Sequence, residues 1–355
     1  LVNHGTISAG GAGTVDVTGQ ASNSHNDVYV INTGATITSG GGDITVTSTG
    51  TGTQTSLVLQ SNGVITTAAN GGNITIVGNT VQIGSGIAGN GELRFIPRSF
   101  GTSIGIGNGD AGTLNFDSTE IANIQNGFSE IRFGDGIAGE TIVNAITFND
   151  PVTIDSDTIS INGQLTGADD ASITLRDNPE ASTTTLNADI VTNGNAVFID
   201  DTLLVDGSRA IDTTNGGAVA TGANVDFTMD VDVDSESEVG GSLAVTAGTT
   251  GVVTFAGSVG SFIPLDDLTV TAQTVNFSGG FVRLFGNLSL TTESLSLTDF
   301  GAQVVGDTTL LADNGITISG ETFTSTTGGG SVTINADNDA NGIGKFRFDA
   351  GGTIN

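Results

Sequence analysis

The chain has 355 residues, 55 of them Gly, with no Cys, no Trp and only 4 Pro, and 38 acids against 8 Lys and Arg give a formal net charge of -30. Without Cys a disulfide-stapled extracellular module is excluded, and the acidic excess repels phosphate backbones and anionic headgroups, which argues against nucleic acid as a partner. Hydrophobic residues reach 36%, too many for a disordered chain, yet no apolar run approaches the roughly 20 residues needed to span a bilayer.

The apolar residues are mainly Val, Ile, Leu and Phe, separated by Thr, Ser, Asn, Asp and Gly, a mixture that predicts many short strands and many turns. LVNHGTISAGG at the start and AGGTIN at the end both lie within this pattern, so a fragment of a longer polypeptide is expected. A strand, a Gly-rich turn and a second strand recur as TISAGGAGTVDV (Thr6 to Val17), TITSGGGDITV (Thr36 to Val46), VITTAANGGNITI (Val64 to Ile76) and TFTSTTGGGSVTI (Thr322 to Ile334). Glycine supplies the positive φ that such bends need. A ten-residue motif, apolar at positions 1, 3, 8 and 10, occurs as ITIVGNTVQI (Ile74 to Ile83), VTIDSDTISI (Val152 to Ile161), LTVTAQTVNF (Leu268 to Phe277) and LSLTTESLSL (Leu288 to Leu297). Its two-residue spacing predicts two three-residue strands joined by a polar corner, not a helix. Within Ser118 to Ile131, by contrast, Ile121, Ile124 and Phe128 have helix-like spacing and predict a single helical turn on a corner.

Internal repetition of this kind predicts an all-β parallel β-solenoid. Phe277, Phe300, Phe323 and Phe346 are each 23 residues apart, which predicts an inward phenylalanine ladder in successive coils, while Leu268 and Leu288 are 20 apart. A coil of about 20–23 residues follows, with residues 1–355 forming one continuous solenoid of about 16 coils. Residues 1 to 90 hold no Lys or Arg and only Asp16, Asp27 and Asp43 as acids, so the surface changes character from Glu92 onward.

Two acidic stretches are calcium candidates. In MDVDVDSESE (Met229 to Glu238), Asp230, Asp232 and Asp234 fall on one strand face, a carboxylate row of the kind that collects an oxygen-liganded ion; the competing reading is a solvated outer face. DNDANG (Asp337 to Gly342) places Asp337, Asp339 and Asn341 at alternate positions before a Gly, like the start of a calcium loop, but Phe348 stands where the loop's Glu would be. GSGIAG (Gly84 to Gly89) has glycine-loop spacing with no helix behind it and reads as a turn. His4 and His25 lie in turns without metal-spaced partners and read as solvated loop residues.

The segments SIGIGNGDAGTLNFDSTEIANIQNGFSEIRFGDGIAGETIVN (Ser103 to Asn144) and VTFAGSVGSFIPLDDLTVTAQTVNFSGG (Val253 to Gly280) resemble the repeat region of filamentous haemagglutinin-like exoproteins of two-partner secretion systems. The resemblance implies a right-handed parallel β-helix, secretion, and a role as adhesin or fibre at the surface of a bacterium. It carries over no catalytic residues. A structural or adhesive protein is the first expectation, with other copies of itself or surface ligands as partners. A filament or sheath subunit and a β-helix carbohydrate-active enzyme are the alternatives. The enzyme needs a pair of carboxylates and an aromatic platform, and the chain offers one Tyr, Tyr29, and no Trp.

Overall fold

The computed structural model describes residues 2–20, 27–50, 57–68, 71–109, 112–176, 183–228, 232–237, 240–278, 280–298, 301–319, 322–325, 330–348 and 353–354. The chain divides into two compact units, Leu1–Ala171 with Arg176–Glu180, and Ser172–Leu175 with Ala181–Asn355. Both are parallel β-helices: successive strands of a coil belong to different ladders, and most strands pair with the third strand on in the sequence.

In the first unit one coil runs Val28–Ile31, Thr36–Ser39, Ile44–Ser48, and the next Leu57–Gln60, Val64–Thr67, Ile74–Val77. These define a first, second and third ladder. The pairings of these two coils are parallel and in phase, as in Val28↔Leu57, Thr36↔Val64 and Ile44↔Ile74; Thr102–Ile106 on Ala138–Val143 shifts register by one residue. In-phase stacking places like on like, so Ile44, Ile74, Leu93, Ile131 and Val152 form one buried inward column of the third ladder. Alternate residues face out and are polar, Thr45 on Thr75 for example.

The coil length differs from the expected 20–23 residues. Partners in the third ladder lie 19 residues apart from Ile74 to Leu93, 38 from Leu93 to Ile131 and 21 from Ile131 to Val152. Stacking constrains the strands only, so the turns between them vary freely in length. The longest coil contains the predicted helical turn, Ser118–Ala122, with a capping box between Asp117 and Glu120. Ahead of it the chain doubles back: Leu114–Phe116 pairs with Thr102–Ile106 (Ile104↔Leu114) and packs on its other side against Val81–Ile83. The first ladder thereby gains an extra rung.

The ten-residue motif takes two forms. Val152–Asp155 and Thr158–Ile161 are separate strands, as predicted. Leu268–Phe277 and Leu288–Thr298 instead run unbroken round a corner; the first pairs with Ser242–Thr246 through Leu268↔Leu243 and with Val252–Phe255 through Val275↔Val253. Leu268, Val270, Ala272 and Val275 are buried, so the two-residue alternation slips by one at Gln273–Thr274 and both halves face one core.

The predicted ladder of Phe277, Phe300, Phe323 and Phe346 is corrected. Phe346 pairs with Ile316 and is 45% exposed, Phe323 pairs with Ala302 in the first ladder, and Phe300 lies outside the described residues. Constant spacing signals stacking only where coil length is constant, and here the step is 20 from Leu288 to Thr308 but 30 from Ile316 to Phe346. Phe277 stacks instead with Phe255, and Phe255 with Phe227, centroids 5.0 and 4.7 Å apart and planes within 10° of parallel. In the first unit Phe95 stacks on Phe133 at 5.3 Å, with Phe116 and Phe148 tilted against them.

Candidate functional site

The first calcium candidate is built into a corner and does not present an open row. Asp230 lies outside the described residues. Asp232 accepts the Ser258 amide at 2.8 Å through one carboxylate oxygen and the Ser261 hydroxyl at 2.8 Å through the other. Asp234 accepts the Phe262 amide at 3.1 Å and is 2% exposed. Burial pushes the Asp234 carboxyl up from the ordinary carboxylate range, against the lowering effect of that hydrogen bond. The solvated-face alternative is corrected for Asp234, because the turn of the next coil folds over it.

In the second candidate each oxygen serves its own turn. Asp337 accepts the Gly342 amide at 3.0 Å, Asp339 accepts the Asn341 side-chain amide at 2.6 Å, and Asn341 accepts the Ile343 amide at 2.8 Å. Among the described residues no group of three or more His, Cys, Asp or Glu is placed to hold a metal ion. Gly84–Gly89 forms a turn into the short strand Ile87–Ala88, and His4 sits in a turn beside the Thr33 carbonyl at 3.1 Å; His25 lies outside the described residues.

The acids and amides do something the sequence reading did not find. Asn287 donates its backbone amide to Asp267 at 2.7 Å, Asp307 donates to the Asn287 side-chain oxygen at 2.8 Å, and Ser331 donates to the Asp307 carboxylate at 2.7 Å. In the first unit Asn73 donates to Asp43 at 2.8 Å and Glu92 to Asn73 at 2.9 Å. Each corner side chain thus satisfies the amide directly above it, which a turn between strands otherwise leaves unpaired. The sequence signal is a Gly followed by Asp, Asn, Glu or Ser at the start of a strand: Gly42-Asp43, Gly72-Asn73, Gly91-Glu92, Gly286-Asn287, Gly306-Asp307, Gly330-Ser331. The glycines stack as well. A Cβ on Gly72 would lie 2.2 Å from the Gly42 carbonyl oxygen, and one on Gly330 2.0 Å from that of Gly306, so no side chain fits this corner. The hydrogen bonds from Ser331 hold the Asp307 carboxyl below its usual range.

A second polar centre lies in the third ladder of the first unit. Asp155 is fully buried and paired with Arg132, with the Arg176 Nε at 3.2 Å and the Gly136 amide at 3.0 Å. Two guanidinium groups and an amide compensate a carboxylate that could not be buried alone.

An interruption in the stacking lies on the second ladder of the first unit. There a cavity of about 630 Å³ opens between the helix Ser118–Ala122 and the strand Ile146–Phe148. Its lining includes the apolar Ile121, Ile124, Ile146 and Phe148, the exposed Thr147 and the buried Asp150. Asp150 accepts the Gly127 amide at 2.7 Å, and burial pushes its carboxyl up. The helix-like spacing of Ser118 to Ile131 was the visible trace of this place, but nothing in that spacing pointed to Thr147 or Asp150. No helix among the described residues is long and apolar enough to cross a membrane. No family model, no curated protein and no solved structure matches the chain.

Proposed function

We propose that the chain is a structural or adhesive protein of the bacterial cell surface or extracellular space, working as a scaffold of stacked coils and not as a catalyst. The observation that carries this is where the acidic groups go. Asp43, Asp267, Asp307, Asp232 and Asp234 are engaged by amides of the following coil, so their oxygens hold coil to coil. A glycosidase would instead face two carboxylates across an open groove. The rest of the outer surface, acidic and rich in Thr and Ser, suits a long sheet protein that must remain in solution.

The test is direct. Purified protein is incubated with acidic and neutral polysaccharides and assayed for new reducing ends and unsaturated uronides. No product is expected; turnover would sink the proposal. Protease shaving of intact cells producing the chain is expected to release its peptides, and full protection would contradict the surface location.

A further inference from the structure

Beside the extra strand of the first ladder, the second ladder is open. From Val81–Ile83 to Ala138–Val143 the first ladder passes through two rungs, Leu114–Phe116 and Thr102–Ile106. Over the same coils the third ladder passes through one, Glu130–Gly134. The second ladder also has one, and it is a single residue, Ile124, bridged to Ile87. At about 4.8 Å per rung the first-ladder side is one strand taller than the third-ladder side. On the second ladder no pairing among the described residues joins Ile124 to Ile146–Phe148, and the cavity opens between them.

The backbone groups along this gap are placed as an empty rung requires. Ile146–Phe148 pairs along one edge only, with Leu165–Gly167, and no strand among the described residues pairs with its other edge. The Ile146 amide donates to Gln164 at 3.1 Å and the Phe148 carbonyl accepts from Ala168 at 2.8 Å, so both use the filled edge. Alternation then directs the N–H and C=O of Thr147 into the gap. Across it, Ile87 is bonded to the carbonyl of Asn123 and the amide of Gln125, which turns the Ile124 carbonyl the same way. Ile121, Ile124 and Ile146 retain 7%, 8% and 7% of their surface, whereas Ile87, Leu93 and Leu165 nearby retain 0%.

We propose that this gap is a docking site for one extended peptide strand of a partner protein, which completes the second ladder by parallel β-augmentation. The required chemistry can be read from the walls. A residue level with Thr147 points outward, so its two neighbours point inward onto Ile124, Ile146 and Phe148; the core of the partner is apolar–polar–apolar. Strand addition draws its affinity from the main chain, here the Thr147 N–H and C=O and the Ile124 C=O. Asp150 lies three residues beyond Thr147, with Asp169 and Asp170 close enough to add negative potential, and no Lys or Arg lines the cavity. A basic residue three places after the outward one therefore completes the match, and the net charge of -30 favours a basic partner over a second copy of this chain.

The probe is the amidated peptide acetyl-Gly-Val-Thr-Val-Gly-Lys, fluorescently labelled, titrated with the whole chain and followed by anisotropy. Saturable binding is expected. N-methylation of the second Val removes the N–H that would meet the Thr147 carbonyl and should weaken binding about tenfold; Glu in place of Lys should weaken it too. Thr147→Pro deletes an amide that the fold does not use, as an edge strand permits, so it should leave the melting temperature unchanged and abolish binding. The N-methylated peptide keeps the test decisive if that variant fails to fold. Absence of binding at millimolar peptide, binding indifferent to N-methylation, occupation of the cavity by an oligosaccharide instead, or self-association of the chain through this edge would each overturn the proposal.

Discussion

Phe255 is the middle ring of the Phe227–Phe255–Phe277 stack, 1% exposed, with neighbours centred 4.7 and 5.0 Å away on either side. Truncation to Ala removes a wholly buried ring from between two coils that cannot close over it, because their spacing is fixed by the ladder hydrogen bonds on both flanks. The ordinary cost of such a cavity is about 3–5 kcal/mol. Loss of two offset ring contacts, each worth about 0.5–1.5 kcal/mol, places this site at the upper end. Each coil touches only its neighbours, so the damage should stay local. Hydrogen exchange followed by mass spectrometry is the assay: amides of Val225–Phe227, Val252–Phe255 and Leu268–Phe277 should exchange faster, and those of Ile44–Ser48 should not change. Phe346→Ala is the control; its ring is 45% exposed and its removal should cost about 0.5 kcal/mol. Equal costs at Phe255 and Phe346, or faster exchange spread evenly over every strand, would refute the stack and the local coupling drawn from it.

Asn287→Ala removes a corner acceptor and should raise the exchange rate of the Asp307 amide about tenfold while the inward Leu288 stays protected. Asp155→Asn leaves Arg132 and Arg176 facing a neutral group and should cost about 3–5 kcal/mol in chemical denaturation; Arg176→Ala, at a side chain 37% exposed, should cost clearly less. Asp234 and Asp307 should respond to pH in opposite senses. The raised Asp234 carboxyl favours the protonated folded form, so its burden on stability is full above its folded pKa and disappears as pH falls below the unfolded value. Asp234→Asn, which keeps an acceptor for Phe262, should therefore raise the neutral-pH melting temperature and lose that advantage in acid. The lowered Asp307 carboxyl contributes stability above its unfolded pKa and loses it as pH falls through the folded value, so Asp307→Asn should narrow the acid-side fall in melting temperature.

The strands were legible because a half-buried pleat forces alternation: VTIDSDTISI (Val152 to Ile161) folds as two strands and a corner, as its pattern demands. A helical turn was legible in the break of that alternation at Ile121, Ile124 and Phe128, but it covers only Ser118–Ala122: Ile121 lies on it, while Ile124 is bridged to Ile87 and Phe128 lies beyond it. Coil length was not legible. Phe227, Phe255 and Phe277 stack with steps of 28 and 22 residues, so a search for one constant period passes over them and finds Phe277, Phe300, Phe323 and Phe346 instead. The acids were misjudged because Asp232 and Asp234 alternate as outward residues do, while their partners, Ser258 and Phe262, belong to the next coil and leave no mark near them in sequence. The open edge needed knowledge that Leu114–Phe116 pairs with Thr102–Ile106 a few residues earlier, which local pattern does not encode.

The corner hydrogen bonds from Asp267 through Asn287 and Asp307 to Ser331 all point one way: the earlier residue supplies the acceptor and the later one the amide. A chain emerging from its N-terminal end would therefore find each acceptor already fixed when the matching donor arrives. Winding can advance coil by coil, each finished turn serving as the template for the next, whereas growth from the opposite end would have to hold bare amides in place with nothing to receive them. Pulse-labelled exchange during refolding should accordingly show the Asn287 amide protected first, Asp307 next and Ser331 last. Protection in the reverse order would mean that the polarity of these bonds does not direct assembly. The stack in this way carries a direction of its own.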